Sequence, residues 1–117
     1  MAEFNTSIKN QGAVSIINLK GYLDAHTAPI LENNFVDLID KNCYRIVVDF
    51  KDLAYISSAG LGVFMAYIEK IRDSKGDIKL SGMSDKVYNI FDLLGFPLLY
   101  EIFKTEDEAV KKFTETK

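Results

Sequence analysis

The sequence predicts an α/β fold: a single domain, residues 1–117, with a mixed, mostly parallel sheet of four or five strands and about four helices. After the first two strands, short β-rich segments alternate with segments whose apolar residues recur at helical spacing. Those first two strands are separated by only a tight turn, which favours an antiparallel hairpin. A chain of 117 residues that is 48% hydrophobic also suits one compact domain.

The opening hairpin is predicted from the polarity pattern of the first twenty or so residues. Phe4, Thr6 and Ile8 alternate with polar residues, which is typical of an edge strand with one solvated face. Residues 11–12 supply the turn, and residues 14–19 form the second strand.

A helix-capping residue predicts the first helix, and a run of apolar residues predicts the next strand. Thr27 is expected to cap the helix, and Pro29 fits its first turn, where a missing N–H costs nothing. The residues predicted to face the core are Leu31, Phe35, Leu38 and Ile39. Residues 45–50 are nearly all apolar, which predicts a central strand buried on both faces. Partner sites of such sheets collect beyond the strand ends, here the predicted loop at residues 49–62.

The second half of the chain predicts three more helices and one or two strands. The second helix is expected to bury Leu61, Phe64, Met65, Ile68 and Ile71, and to end at residues 74–77 before a strand at residues 78–80. Ser84 is expected to cap a third helix that buries Val87, Ile90, Phe91 and Leu94 and stops at Gly95 and Pro97. Residues 98–103 suit a short last strand, and the capping box at residues 105–108 predicts a final helix burying Ala109, Val110 and Phe113.

Composition argues against several classes of function. A net charge of −3, from 14 basic and 17 acidic residues, does not suit a nucleic-acid-binding protein. Cys43 and His26 are the single cysteine and the single histidine, so no internal disulfide or Cys/His metal cluster is expected. Residues 1–6 do not resemble a signal peptide and no apolar run is long enough to span a membrane. We therefore expect a cytoplasmic protein, with no membrane partner, no metal and no cofactor.

No catalytic motif is found in the sequence, so we expect a binding protein and not an enzyme. There is no G-x-S-x-G elbow and no G-x-x-x-x-G-K-[ST] phosphate loop. Asp49 lies where the phosphoacceptor of a response-regulator receiver would lie. A receiver would also need an acidic pair after its first strand and a lysine after its last, and neither is found.

The segment from Ser57 to Gly62 is the strongest functional candidate. Serine before a helix is a good N-cap, because its hydroxyl accepts a hydrogen bond from an amide of the first turn. A serine there is also a plausible phosphate acceptor, since the helix N-terminus tolerates negative charge. Gly60 and Gly62 are expected to keep the approach to Ser58 free of side chains. The residue types leave the cap and the phosphosite open as alternatives, and both can hold together.

Asp24 and His26 precede the first helix. Asp24 is expected either to form an Asx-type turn with nearby backbone amides or to contribute to a binding face. His26 is expected to be a turn residue, because it has no triad partners in a recognisable order.

Four segments of the chain carry a family resemblance: residues 21–28, 47–50, 55–63 and 91–96. They resemble the bacterial anti-sigma factor antagonists, stand-alone STAS domains of the sporulation and stress-response type, and the resemblance covers essentially the whole chain in order and spacing. It implies a partner-switching protein that binds an anti-sigma factor with serine-kinase activity when unphosphorylated, and so frees a sigma factor. Phosphorylation by that kinase, with ATP, would release it, and a PP2C-type phosphatase would restore it.

The resemblance also implies specific site residues. Aligned on Gly60, the phosphorylated residue is Ser58, and the partner-binding residues are Asp24, Ser57, Ser58, Ala59, Gly60 and Gly62. The sequence departs from the family pattern at two positions: Ser57 replaces the usual acid, and Ala59 replaces the second hydroxyl residue. Ser57 is therefore a secondary phosphosite candidate. The alternative function is a STAS-type scaffold or small-ligand-sensing module whose serine is never modified. We expect a monomer.

Overall fold

The computed structural model describes residues 4–115, and the side chains of residues 4–114. Within that range the chain forms a five-stranded sheet in the order β1-β2-β3-β4-β5 and four α-helices. The strands are β1 (Phe4–Gln11), β2 (Val14–Leu23), β3 (Arg45–Ile56), β4 (Asp77–Ser81) and β5 (Ile102–Phe103). The helices are α1 (Ala28–Asp40), α2 (Ser58–Asp73), α3 (Asp85–Leu93) and α4 (Glu106–Glu115), and a 3₁₀ turn covers Phe96–Leu98.

The sheet is mixed and mostly parallel, as the sequence predicts. β1 and β2 pair antiparallel around a turn in which Gly12 has φ +62°, and the other neighbouring strands pair parallel. Residues 1–3 and 116–117 lie outside the described residues, so the boundaries of the domain remain a prediction. The expectation that residues 1–6 are not a signal peptide also remains a prediction. None of the helices in residues 4–115 has the length and apolarity needed to cross a membrane.

Helices cover both faces of the sheet. On one face α1, α2 and α3 bury a large core centred on Phe35, Phe50, Phe64 and Phe91. On the other face α4 buries Ala109, Val110 and Phe113 against Val14, Ile16 and Val47. Burial of β3 on both faces over its first half confirms it as the central strand.

The end of β3 differs most from the prediction. The strand continues past Phe50 to Ile56, so most of the predicted loop at residues 49–62 is strand, and Asp49 lies inside it. β4 pairs with β3 only as far as Asp49, whereas β2 stays paired with it to Ile56. After Asp49 the strand has β2 but not β4 as a neighbour, so several of its residues are exposed and polar. The run of apolar residues therefore stops at Phe50, although the strand itself continues to Ile56.

The predictions for three side chains and for the length of the last strand are also wrong. Thr27 occupies the N-cap position of α1 without capping it, because its hydroxyl bonds back to the preceding turn. Met65 and Leu94 are exposed, at 48% and 56%, whereas Val63 is buried in the core that Met65 was expected to join. The last strand has only the two residues Ile102 and Phe103, since the chain before it forms the 3₁₀ turn.

The helix caps predicted for Ser84 and Thr105 are confirmed. The Ser84 hydroxyl accepts from the Val87 amide at 3.2 Å, and Gly95 after α3 has a left-handed φ of +76°. Thr105 and Glu108 form the reciprocal capping box: each side chain accepts a hydrogen bond from the other residue's amide, at 3.2 and 3.3 Å.

Candidate functional site

The junction between β3 and α2 is a single residue, Ser57. Its backbone N–H donates to the carbonyl of Leu23, at the end of β2, across 2.9 Å. Its hydroxyl accepts from the Gly60 amide at 3.4 Å, in the extended conformation of an N-cap residue. The serine that caps α2 is therefore Ser57. This hydrogen bond and the half-buried position tie the Ser57 side chain to the structure.

Ser58 is the first residue of α2 and is exposed to solvent. Its hydroxyl makes no hydrogen bond to any residue in the described part of the chain. The first turn of α2 carries no acidic residue, so no carboxylate there offsets the positive end of the helix dipole. An accessible hydroxyl thus lies where added negative charge meets free amides and a favourable dipole.

The turn between β2 and α1 lies beside Ser57. The Asp24 carboxylate accepts hydrogen bonds from the amides of His26 and Thr27, at 3.0 and 3.1 Å, which is an Asx-type turn. The Thr27 hydroxyl accepts from the Asp24 amide and donates to the Tyr22 carbonyl, at 2.9 and 2.8 Å. Asp24 therefore shapes this turn, and His26 is an exposed turn residue, as the sequence predicts. Because Leu23 pairs with Ile56, the turn and Ser57 lie at the same edge of the sheet.

The two glycines of the candidate segment have different surroundings. Gly60 is buried, and a Cβ on it would lie 2.7 Å from Leu23 Cγ and 3.1 Å from Ile56 Cγ1. Gly62 is exposed and a Cβ there would meet no atom within 4 Å. The expectation that both glycines clear the approach to Ser58 is thus wrong for Gly60, which lets α2 pack closely on the strand ends.

The exposed surface beside Ser58 is largely small or apolar. Along α2 the exposed positions after Ser58 include Ala59, Gly62, Met65 and Ala66. An aromatic pair, Tyr22 and Tyr55, lies on the neighbouring strand ends with ring centroids 6.0 Å apart, both rings being at least 40% exposed. The polarity pattern of the sequence does not predict this pair. Their exposure depends on the extension of β3, which the apolar pattern does not predict.

Asp49 takes no part in the Ser58 region. Asp49 and Ile56 are seven positions apart along β3, which is roughly 23 Å at the rise of a β-strand. It is buried on the α4 side, where Ser81 and Asn18 donate to its carboxylate, each at 3.1 Å. Asn18 also donates to Glu106 of α4 at 3.1 Å, and Glu106 pairs with Lys9 at 2.9 Å. Burial raises the pKa of Asp49, and the hydrogen bonds from Ser81 and Asn18 only partly oppose this shift.

An open polar cleft of about 650 Å³ adjoins this network. Its lining includes Asn18, Asp49, Lys51, Lys104 and Glu106. Within residues 4–115 no cluster of His, Cys, Asp and Glu side chains has the arrangement of a metal site.

Comparison with known proteins identifies the family. Residues 5–109 match the family model of the STAS domain, and the chain belongs to this family. The anti-sigma-B factor antagonist of Bacillus subtilis (strain 168) is 26% identical over 107 residues, which cover 92% of this chain and 97% of that protein.

Solved structures share the fold. An anti-sigma factor antagonist from Mycobacterium paratuberculosis superposes with a TM-score of 0.86 at 22% identity, covering 94% of this chain and 93% of that one. The unphosphorylated form of the anti-sigma factor antagonist SpoIIAA gives a TM-score of 0.83 at 20% identity, covering 97% and 99% of the two chains. The phosphorylated form of SpoIIAA, from Bacillus, gives 0.73 at 20% identity, covering 93% and 99%.

Proposed function

We propose that this protein is an anti-sigma factor antagonist that binds an anti-sigma factor, and that phosphorylation of Ser58 ends this binding. The observation that carries the proposal is the division of roles between the two serines. Ser57 caps α2, which leaves the Ser58 hydroxyl exposed and without a hydrogen bond to the described residues. A kinase can reach such a hydroxyl without opening the helix.

The surroundings of Ser58 explain how one phosphate can act as a switch. The added charge of about −1.5 to −2 lies at a helix N-terminus whose first turn carries no acidic residue, so the fold is expected to tolerate it. A partner that binds the exposed small and apolar residues of α2 (Ala59, Gly62, Met65 and Ala66) would instead have to desolvate that charge. Desolvation of an unpaired charge costs several kcal/mol. Phosphorylation is therefore expected to change the stability of the domain little and to lower its affinity for the partner strongly.

The proposed partners follow from this scheme and from the relatives' names. The partner that binds the exposed surface of α2 beside Ser58 is an anti-sigma factor with serine-kinase activity. This kinase transfers the γ-phosphoryl group of ATP to the Ser58 hydroxyl. A PP2C-type phosphatase hydrolyses the phosphoserine and restores binding. The chain itself acts as a ligand and as a substrate. One curated relative is named an anti-sigma-B factor antagonist, and SpoIIAA has a phosphorylated form, which supports the proposal.

An unmodified scaffold or ligand-sensing module is the second candidate function. Ser57, where the family that the chain resembles carries an acid, favours it, because the kinase would lose one possible contact. The same experiment separates the two functions.

The test is phosphorylation by the cognate kinase with ATP, followed by intact-mass measurement. Wild type and Ser57→Ala are expected to gain one phosphate, and Ser58→Ala none. Ser57→Ala is the matched control: loss of its cap should lower the unfolding free energy by about 0.5–2 kcal/mol while the substrate hydroxyl remains. Full-rate phosphorylation of Ser58→Ala would contradict the site, and unmodified wild type would favour the scaffold.

A further inference from the structure

Tyr22 and Tyr55 form an exposed aromatic pair on the face of the sheet opposite to α2. Each precedes a residue that is buried in the core under α2, Leu23 in β2 and Ile56 in β3. Successive side chains of a strand point to opposite faces of the sheet. The two tyrosines are register partners whose ring centroids lie 6.0 Å apart, so both rings lie on the face that α4 partly covers.

The part of that face under α4 lies well away from the tyrosines. The apolar residues of α4 pack on Val14, Ile16 and Val47, near the starts of β2 and β3. Tyr22 is six positions after Ile16, and Tyr55 is eight positions after Val47, roughly 20 to 26 Å at the rise of a β-strand. The rings therefore stay accessible, and exposed tyrosine is enriched among the residues that dominate binding energy in protein interfaces.

The aromatic pair lies within reach of any protein that acts on the Ser58 hydroxyl. Tyr55 is three positions before Ser58, so their Cα atoms are at most about 11 Å apart. A standard interface buries about 800 Å² on each partner, and a disc of that area has a radius of about 16 Å. A protein whose active site covers Ser58 therefore also extends over the ends of β2 and β3.

We propose that Tyr22 and Tyr55 are docking residues for the anti-sigma factor kinase, which packs apolar side chains on the two rings while its active site meets Ser58. This inference rests on the proposed function and adds the residues by which the partner recognises the chain. A phosphate on Ser58 would add a hydrated charge beside this apolar contact, in agreement with the proposed switch.

The test compares wild type with Tyr22→Thr/Tyr55→Thr as substrates of the cognate anti-sigma factor kinase with ATP. Threonine removes the ring and keeps a high preference for the strand conformation. The KM of the variant should rise at least tenfold while kcat stays within about twofold, because a binding contact is lost and the Ser58 hydroxyl is unchanged. The affinity measured by calorimetry without ATP should fall by a similar factor. Circular dichroism should show an intact fold, since both side chains are exposed.

Tyr88→Thr is the matched control, because it removes a ring that is 38% exposed on α3, outside the ends of β2 and β3. It should be phosphorylated with the KM of wild type. An unchanged KM for the double variant, an equal rise for Tyr88→Thr or a loss in kcat alone would overturn the docking role and leave the Ser58 assignment standing. A wild type that is neither bound nor phosphorylated would contradict the proposed function, and this inference with it.

Discussion

Ser57 and Ser58 are chemically identical, and the end of β3 gives them different environments. Ile56 is the last strand residue, so the next residue must take the extended conformation of a cap, and Ser58 begins the helix. If the strand ended one residue later, Ser58 would take the cap position and Ser57 would belong to the strand. Residue types alone cannot fix such a boundary, which is why the sequence leaves both serines as candidates for the cap.

Asp49 shows the same dependence on context. The sequence places it at the end of a strand, as in a receiver domain, whereas the longer β3 puts it among Asn18, Ser81 and Glu106. A Cβ on Gly82, which has φ +72°, would lie 2.3 Å from Asp49 Oδ1, so the carboxylate fills space beside a glycine. This network links β2, β3, β4 and α4, and a structural role for Asp49 follows.

We expect Asp49 to make stability fall as pH rises through the window just above the ordinary carboxyl value of about 4. Burial raises its pKa in the folded state, so the folded protein holds the proton more tightly than the unfolded chain. Urea unfolding of wild type and Asp49→Asn from pH 4 to 8 measures this. The unfolding free energy of the variant, relative to wild type, should increase with pH and then level off.

Glu106 acts in the opposite direction and remains in both proteins. Burial opposes its ionisation, but hydrogen bonds from Lys9 and Asn18 outweigh this and lower its pKa. Its contribution is present above its unfolded pKa and is lost as pH falls through the folded value. A difference between wild type and Asp49→Asn that stays constant across the pH range would rule out a raised pKa for Asp49.

At the scale of elements, α2 is fixed at its start by close contact with the strand ends. Periodicity correctly predicts that Leu61, Phe64, Ile68 and Ile71 are buried, but it assigns Met65 to the same face. The covered face instead includes Gly60 and Val63. Close packing of Gly60 against Leu23 and Ile56 determines which face of α2 lies on the sheet. The spacing of apolar residues along the sequence does not reveal this contact.

Alanine substitution at the two glycines of α2 should have opposite effects on stability. Gly60→Ala places a methyl group against Leu23 and Ile56, and should lower the unfolding free energy by about 1–3 kcal/mol. Gly62→Ala adds a methyl group in open space within a helix, and should raise it by about 0.5–1 kcal/mol. Chemical denaturation measures both effects. Equal effects of the two substitutions would contradict the packing role assigned to Gly60.

The prediction of elements fails at the end of β3 and in the segment after α3 that contains Leu94 and Leu98. The predicted strand stops at Phe50 because Lys51 and Asp52 interrupt the apolar run, yet pairing with β2 continues to Ile56. Leu94 was expected to face the core, and Leu98 was expected in a strand. Both are exposed, whereas Phe91 and Phe96 are buried with their rings in edge-to-face contact.

At the scale of the whole molecule, the fold was predictable and the site only partly so. The tight turn at Gly12, the apolar central strand and the caps at Ser84 and Thr105 are local signals, and together they specify the hairpin, the element order and the sheet type. The nearness of Asp24 to Ser57 depends on strand pairing, and the sequence analysis expected it through family resemblance. The exposure of the Tyr22–Tyr55 pair and of Leu98 was not predicted, because it depends on which elements do not pack over these residues.

The most direct test of the proposed function is the affinity of the unphosphorylated and Ser58-phosphorylated chain for the anti-sigma factor, measured by calorimetry. The unphosphorylated chain should bind, and the phosphorylated chain should bind at least tenfold more weakly, which is about 1.4 kcal/mol. Ser58→Asp should also weaken binding while its unfolding free energy stays within about 0.5 kcal/mol of wild type. Equal affinity of the two forms would contradict the switch.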